Sequence, residues 1–358
     1  MFKFNAGALH PATGDARLSA AQDLVSRTLA QHGLSGGPMN GQNGSAATGR
    51  MPDLSGLVAM ASLMQQPHRP GATRPATSDH GMTAGTHRCA AGQRDYLLHV
   101  PASAQDGATG LIVMLHGCTQ TAADFAAGTQ MNALADRDGF VVLYPQQSRG
   151  DNAQSCWNWF SRGDQLRDRG EPAIIADLTR KVAAEHGMSP DRTAVAGLSA
   201  GGAMAVILGQ THADVFGAVG VHSGLPYSAA RDVPSAFAAM AGNGADVALP
   251  SGTTTPRSIV IHGSTDTTVA PVNGDRIARH VRAAAGPATI ETTATGTTNG
   301  RAWTCDTAAK PDGRIVLEHW RIDGLGHAWS GGNPAGSHTD GRGPDASAAM
   351  VRFFFGEA

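Results

Sequence analysis

The chain lacks the features that several broad classes of protein require. No uninterrupted apolar run approaches the roughly 20 residues that cross a bilayer, so no transmembrane association is expected. Lys and Arg number 27 against 29 Asp and Glu, a formal charge of -2. Without a basic surplus there is no electrostatic footprint for a phosphate backbone, and no nucleic-acid partner is expected. Cysteine is scarce: Cys89, Cys118, Cys156 and Cys305 lie outside the short paired spacings of a zinc site. Full oxidation would allow three pairings, among which the sequence does not choose. A chain of this length can bury a core that needs no staples, so reduced cysteines are the expectation. The opening residues MFKFNAGALHPATGD hold no long apolar segment of the signal-peptide kind. The resulting expectation is cytoplasmic, with secretion requiring a leader outside this sequence or a non-classical route.

What the 358 residues do contain is 41% hydrophobic content with 46 Gly and 19 Pro, the composition of a globular body rich in loops. The segment from Ala20 to Gln31 carries helix-like apolar spacing, but Asn40 to Ala84 is dominated by Gly, Pro, Ser and Gln, with a short helix expected near Leu57 to Met64. Residues 1–84 therefore read as an N-terminal arm and 85–358 as the catalytic domain. In that domain, strand patterns at Tyr96 to Val100, Leu111 to Leu115, Phe140 to Tyr144, Thr193 to Ala196, Ala218 to His222, Ser258 to His262 and Ile315 to Ile322 alternate with helical ones. The helical patterns cover Ala122 to Arg137, Pro172 to His186, Gly201 to Gln210, Asn273 to Ala284 and Asp345 to Phe354. Short apolar strands separated by helices must be covered on both faces, which predicts an α/β body with a largely parallel sheet. The stretch from Pro226 to Pro256 is poorly patterned and is expected to border a pocket or cross a sheet edge.

Gly197-Leu198-Ser199-Ala200-Gly201 follows an apolar strand and opens a helix of small residues. That context exposes a serine hydroxyl on a strained elbow, with the glycines permitting close backbone approach. A neutral hydroxyl needs a base, and the base needs an acceptor that sets its tautomer. The candidates follow in chain order: Ser199, then Asp266 after the strand Ser258 to His262, then His327 in Gly324-Leu325-Gly326-His327-Ala328-Trp329. Oxyanion donors are expected from the backbone amides of Cys118, in the turn His116-Gly117-Cys118-Thr119-Gln120, and of Ala200. Trp157 and Trp329 are expected beside the substrate, the alternative being aromatic support beneath their loops. The charged stretch Asp164, Arg167, Asp168, Arg169 and Glu171 reads as solvated surface. No catalytic metal and no cofactor is assigned, and His338, Asp340 and Asp345 are too widely separated to suggest one.

HGCTQ at His116, SCWNWF at Ser155, GLSAGG at Gly197, HGSTD at His262 and GLGHAWSGG at Gly324 together resemble the esterases related to polyhydroxybutyrate depolymerases. The resemblance covers approximately Ala84 to Phe355. It implies an α/β-hydrolase fold with a predominantly parallel central sheet covered by helices, the triad Ser199, Asp266 and His327, and the amides of Cys118 and Ala200 as donors. It also implies an ester or polyester substrate: 3-hydroxybutyrate oligomers, polyhydroxybutyrate or related short esters. Feruloyl and acetyl-xylan esterases are the alternative, and a non-enzymatic binding protein on the same scaffold is the reading from a different class. Protein partners are left open.

Overall fold

A computed structural model of the protein describes residues 81–105, 107–247 and 255–356. The helices expected at Ala20 to Gln31 and Leu57 to Met64 lie outside these residues, as does the expected arm apart from residues 81–84. Thr83 and Ala84 already belong to the sheet.

In chain order the principal strands are β1 (Thr83–Cys89), β2 (Gly92–His99), β3 (Leu111–Leu115), β4 (Val141–Gln146), β5 (Thr193–Leu198), β6 (Ala218–His222), β7 (Arg257–Gly263), β8 (Ile290–Thr298), β9 (Arg301–Ala309) and β10 (Ile315–Ile322). They form one sheet ordered β1-β2-β4-β3-β5-β6-β7-β10-β9-β8. The run from β4 to β10 is parallel. Antiparallel pairs close both sides, β1 with β2 and β2 with β4 at one, β10 with β9 and β9 with β8 at the other. A second, two-stranded sheet pairs β11 (Trp329–Ser330) with β12 (Thr339–Asp340).

The helices are α1 (Ala122–Thr129), α2 (Met131–Asp138), α3 (Gly170–Glu185), α4 (Ala200–Thr211), α5 (Val233–Met240), α6 (Val272–Ala285) and α7 (Ala346–Phe355). They cover both faces because the central strands are buried on both. Every residue of β3 is inaccessible. Leu111, Val113 and Leu115 join the core beneath α3, α4 and α6, while Ile112 and Met114 join the core beneath α1, α2 and α7.

The helix expected over Ala122 to Arg137 is two helices, because Gln130 adopts φ 53, ψ 24 and ends the first. The unpatterned stretch after Pro226 contains α5, started by a reciprocal capping box between Asp232 and Ser235. β1, β8, β9 and the short β11 and β12 were not among the expected strands. β8 is almost wholly exposed and rich in threonine, so it carries no apolar alternation. The available signal was Asn299-Gly300, whose φ values of 45 and 77 form a tight hairpin turn.

Candidate active site

Ser199 stands between β5 and α4 at φ 58, ψ -119, a conformation that L-residues adopt only under constraint. The constraint comes from backbone packed directly on backbone. A Cβ at Gly201 would overlap the carbonyl oxygen of Leu115 at the end of β3, and one at Gly197 would strike Gly201 itself. The Ser199 amide donates to the His222 carbonyl at 2.9 Å, which ties the turn to β6.

Asp266 follows β7 in a turn that surrounds its carboxylate with donors. Thr268 N and Val269 N donate to Oδ1 at 3.0 and 2.9 Å, and His327 Nδ1 donates to Oδ2 at 2.8 Å. His262 Nε2 stands 3.5 Å from Oδ2 and 2.9 Å from the Val269 carbonyl. Burial alone would raise the Asp266 carboxyl. The bonds to His262, His327 and Val269, with the charge His327 can carry, outweigh that and hold it well below the usual carboxylate range. With Nδ1 engaged as donor, the Nε2 of neutral His327 is left as an acceptor.

Ser199, Ala200, Cys118 and His327 line one cavity of ≈ 410 Å³. Ser199 and His327 make no direct hydrogen bond among the described residues; such contacts commonly tighten only with substrate in place. Neither the Cys118 nor the Ala200 amide donates to a protein acceptor among the described residues. The Ala200 amide is free because it opens α4. The rest of the cavity is largely apolar, with Trp159, Phe160, Leu225, Phe237, Met240 and Val269 prominent in its wall.

The loop that carries Cys118 is fastened from below and from the side. Cys118 and Cys156 form a disulfide, which corrects the expectation of reduced cysteines; Cys89 and Cys305 are free. The bridge joins two loops that the sequence separates by 38 residues and that share no secondary-structure pairing, so core size alone does not remove the use for it. Thr119 N donates to the Gln154 carbonyl at 2.7 Å, and Gly117 N donates to Gln120 Oε1 at 2.9 Å. His116 is buried; its Nδ1 donates to the Gly117 carbonyl and its Nε2 accepts from Gln147 N. Burial lowers its pKa to about 4, so the ring is neutral at ordinary pH.

Two expected substrate contacts require correction. Trp157 is fully buried, with Nε1 donating to the His116 carbonyl at 3.0 Å, and it lines no part of the cavity. Trp329 is 1% exposed, stacks on His222, and donates from Nε1 to Ser347 Oγ at 3.1 Å. Its own amide donates to the His338 carbonyl as part of the β11–β12 pairing. Each ring thus supports a loop from beneath, Trp157 the turn that carries Cys118 and Trp329 the loop that carries His327. Trp159 and Phe160, in the same SCWNWF segment, reach the cavity instead.

The charged stretch before α3 also divides. Arg167, Asp168 and Arg169 are exposed, but Glu171 is buried, contrary to the surface expectation. It accepts from Arg94 NH2 at 3.0 Å, Asn158 N at 2.7 Å and Asn158 Nδ2 at 2.8 Å, and it also bonds Gln147. Burial raises its carboxyl even against these partners. Glu171 therefore fixes the loop between Gln147 and Trp159, which the disulfide and the Thr119–Gln154 hydrogen bond join to the Cys118 turn. His338, also unforeseen as a site residue, lines the cavity at φ 53. Among the described residues, no helix is long and apolar enough to cross a membrane.

A family model described as esterase PHB depolymerase matches residues 94–301. The chain belongs to this family. The matched span includes Ser199 and Asp266 and ends before His327. Poly(3-hydroxyalkanoate) depolymerase C of Paucimonas lemoignei is 39% identical over 187 residues, 49% of this chain and 44% of the relative. Poly(3-hydroxybutyrate) depolymerase of Ralstonia pickettii is 28% identical over 251 residues, 66% of this chain and 50% of the relative. The chain thus spans about half the length of these curated relatives or less. Among solved structures, an acetyl xylan esterase from Aspergillus awamori aligns with TM-score 0.56 at 21% identity, over 73% of this chain and 93% of that one. This esterase family member therefore shares an α/β-hydrolase fold with that structure.

Proposed function

We propose that the protein is a serine-dependent carboxylic-ester hydrolase acting on 3-hydroxybutyrate oligomers, polyhydroxybutyrate or related short hydroxyacid esters. The observation that carries this reading is the hydrogen bond that buried Asp266 accepts from His327, which lines one cavity with Ser199, Cys118 and Ala200. His327 Nε2 takes the Ser199 proton as Oγ attacks the ester carbonyl carbon. Asp266, ionised throughout the neutral range, stabilises the imidazolium that forms. The Cys118 and Ala200 amides donate to the oxyanion of the tetrahedral intermediate. Collapse breaks the bond to the alcohol oxygen, which leaves with the proton from His327, and an acyl-serine remains. Water then attacks with His327 as base, and the acid departs as Ser199 recovers its proton.

The apolar wall supports an aliphatic acyl chain bearing small branches, and the relatives' depolymerase names support the polyester class. The Cys118–Cys156 bridge supports an oxidising compartment, in place of the cytoplasmic expectation. The test is a side-by-side turnover assay on 3-hydroxybutyrate oligomers, aryl esters and acetylated sugar esters, with wild type and Ser199→Ala. Wild type is expected to prefer the hydroxyacid esters, and the variant to lose about 10⁴-fold or more. Undiminished hydrolysis by the variant overturns the mechanism. Negligible turnover of hydroxyacid esters beside rapid turnover of another class overturns the substrate assignment.

A further inference from the structure

β1 is the edge strand of the large sheet and packs against α3. Strand alternation turns His87 and Cys89 to the covered face, where His87 is buried and Cys89 partly buried, while Thr86 and Arg88 are exposed. From α3, Asp177 meets them: His87 Nε2 lies 2.7 Å from Asp177 Oδ2. Ligand-capable atoms of His87, Cys89 and Asp177 all lie within 4.8 Å of one another. Cys89 has no disulfide partner among the described residues. None of the three lines the cavity that holds Ser199.

We propose that His87 Nε2, Cys89 Sγ and the Asp177 carboxylate form a binding site for a zinc-class divalent ion, with water as the remaining ligand. A thiolate and an imidazole together select a borderline-soft ion over magnesium or calcium, which prefer oxygen donors. Zinc bond lengths in tetrahedral geometry put neighbouring ligand atoms roughly 3.3–3.7 Å apart. The His87–Asp177 contact must therefore open by under about 1 Å and the sulfur draw inward by a similar amount. The Asp177 side chain is half exposed, so it is free to turn and leaves room for water. On uptake the Cys89 thiol loses its proton to solvent, so binding strengthens as pH rises. The ion would tie an edge strand to the helix that covers it, outside the hydrolytic chemistry. The ligands come from a hairpin and a helix some ninety positions apart, which hides the set from any reading of local spacing.

The test is titration of the full chain, after chelator treatment and dialysis, with Co²⁺ as a spectroscopic stand-in for zinc. Expected are a thiolate-to-cobalt charge-transfer band that saturates near one equivalent, and its loss on adding Zn²⁺. Cys89→Ser should abolish the band and weaken Zn²⁺ binding about tenfold or more while retaining ester turnover, which reports an intact fold. Cys305→Ser should keep the band, since burial pushes that thiol up to about 12. No band in wild type, or a band that survives Cys89→Ser, overturns the proposal. So does undiminished Zn²⁺ affinity in both His87→Gln and Asp177→Asn, which would leave His87 and Asp177 as an ion pair only.

Discussion

The two sides of the cavity are built differently. The polar rim that carries Cys118, Ser199 and His327 is fixed by a disulfide, by two buried indoles and by the Glu171 cluster. The facing wall at α5 is a helix of eight residues held by its capping box and by Asn273 Nδ2 donating to the Ala239 carbonyl, with Val233 48% exposed. Positions where charge develops demand groups that do not reorganise during reaction. A wall that only excludes water and receives an acyl chain makes no such demand. On the proposed mechanism, the groups where charge develops are held in several ways at once, while the surface that would receive the acyl chain is small and replaceable.

Breaking the proposed proton relay at the rim should have the largest effect. Asp266→Asn replaces an acceptor with a group that cannot hold the His327 tautomer, and kcat should fall by about 10⁴-fold with KM little changed. A fall under tenfold in steady-state assays would place the orienting role elsewhere. Reduction of Cys118–Cys156, or Cys156→Ser, should come next. It frees the turn that carries one proposed oxyanion donor, and kcat should drop by about 10²-fold while stability falls by about 2–4 kcal/mol. Unfolding and turnover measured with and without reductant check both; equal kcat would show that the turn is held by its hydrogen bonds alone.

The wall should answer differently. Phe237→Ala removes an aromatic side of the cavity, so KM for hydroxyacid oligomers should rise about tenfold, a methyl-scale to ring-scale loss of contact, with kcat for a small aryl ester nearly unchanged. A matching loss of kcat on both substrates would mean that the two sides are coupled.

The smallest effect separates the sides by acid. His116 and His222 lie buried beneath the rim, and burial lowers them to about 4 and about 3, while α5 carries no titratable side chain. A native-state pKa below the ordinary 6.5 means that the unfolded chain takes up protons first. The contribution is fully present above that value and is lost as pH falls toward the native values. Between pH 7 and 6 the two rings together should contribute roughly 1–1.5 kcal/mol to the loss seen in urea unfolding. His212 and His319, also lowered to about 4 by burial, add to it, so His116→Gln and His222→Gln should flatten the profile by that share only. Asp266 acts in the same direction only from the ordinary carboxylate range downward, where the unfolded chain's carboxyl protonates first, and the loss ends once the native carboxyl protonates too. A flat profile over that interval would show that these rings are solvated in the native state.

Legibility in the sequence followed the same division. Leu111 to Leu115 and Ala218 to His222 coincide with observed strands because buried parallel strands are nearly continuous apolar runs, and Ile315 to Ile322 coincides with one although Glu318, His319 and Arg321 interrupt its apolar residues. Ser199, Asp266 and His327 were legible as candidates because each sits where a strand gives way to a glycine-bearing turn, and the structure brings Asp266 and His327 within 2.8 Å. The supporting groups were not. Whether a tryptophan lines a cavity or lies beneath it depends on which side of a loop faces inward, and Trp157 and Trp159, two positions apart in SCWNWF, do opposite things. Glu171 looks like its exposed neighbours until Arg94 and Asn158, from distant segments, close around it. The Cys118–Cys156 pairing likewise depends on two loops meeting in space.

The central claim, that His327 activates Ser199, is tested most directly by mass spectrometry after exposure to a serine-directed aryl phosphonate. A single adduct on the Ser199 peptide in wild type, absent from Ser199→Ala and slowed by orders of magnitude in His327→Ala, is the predicted result. Labelling of Ser199 at the same rate without the imidazole, or stable labelling of a different serine alone, would contradict it.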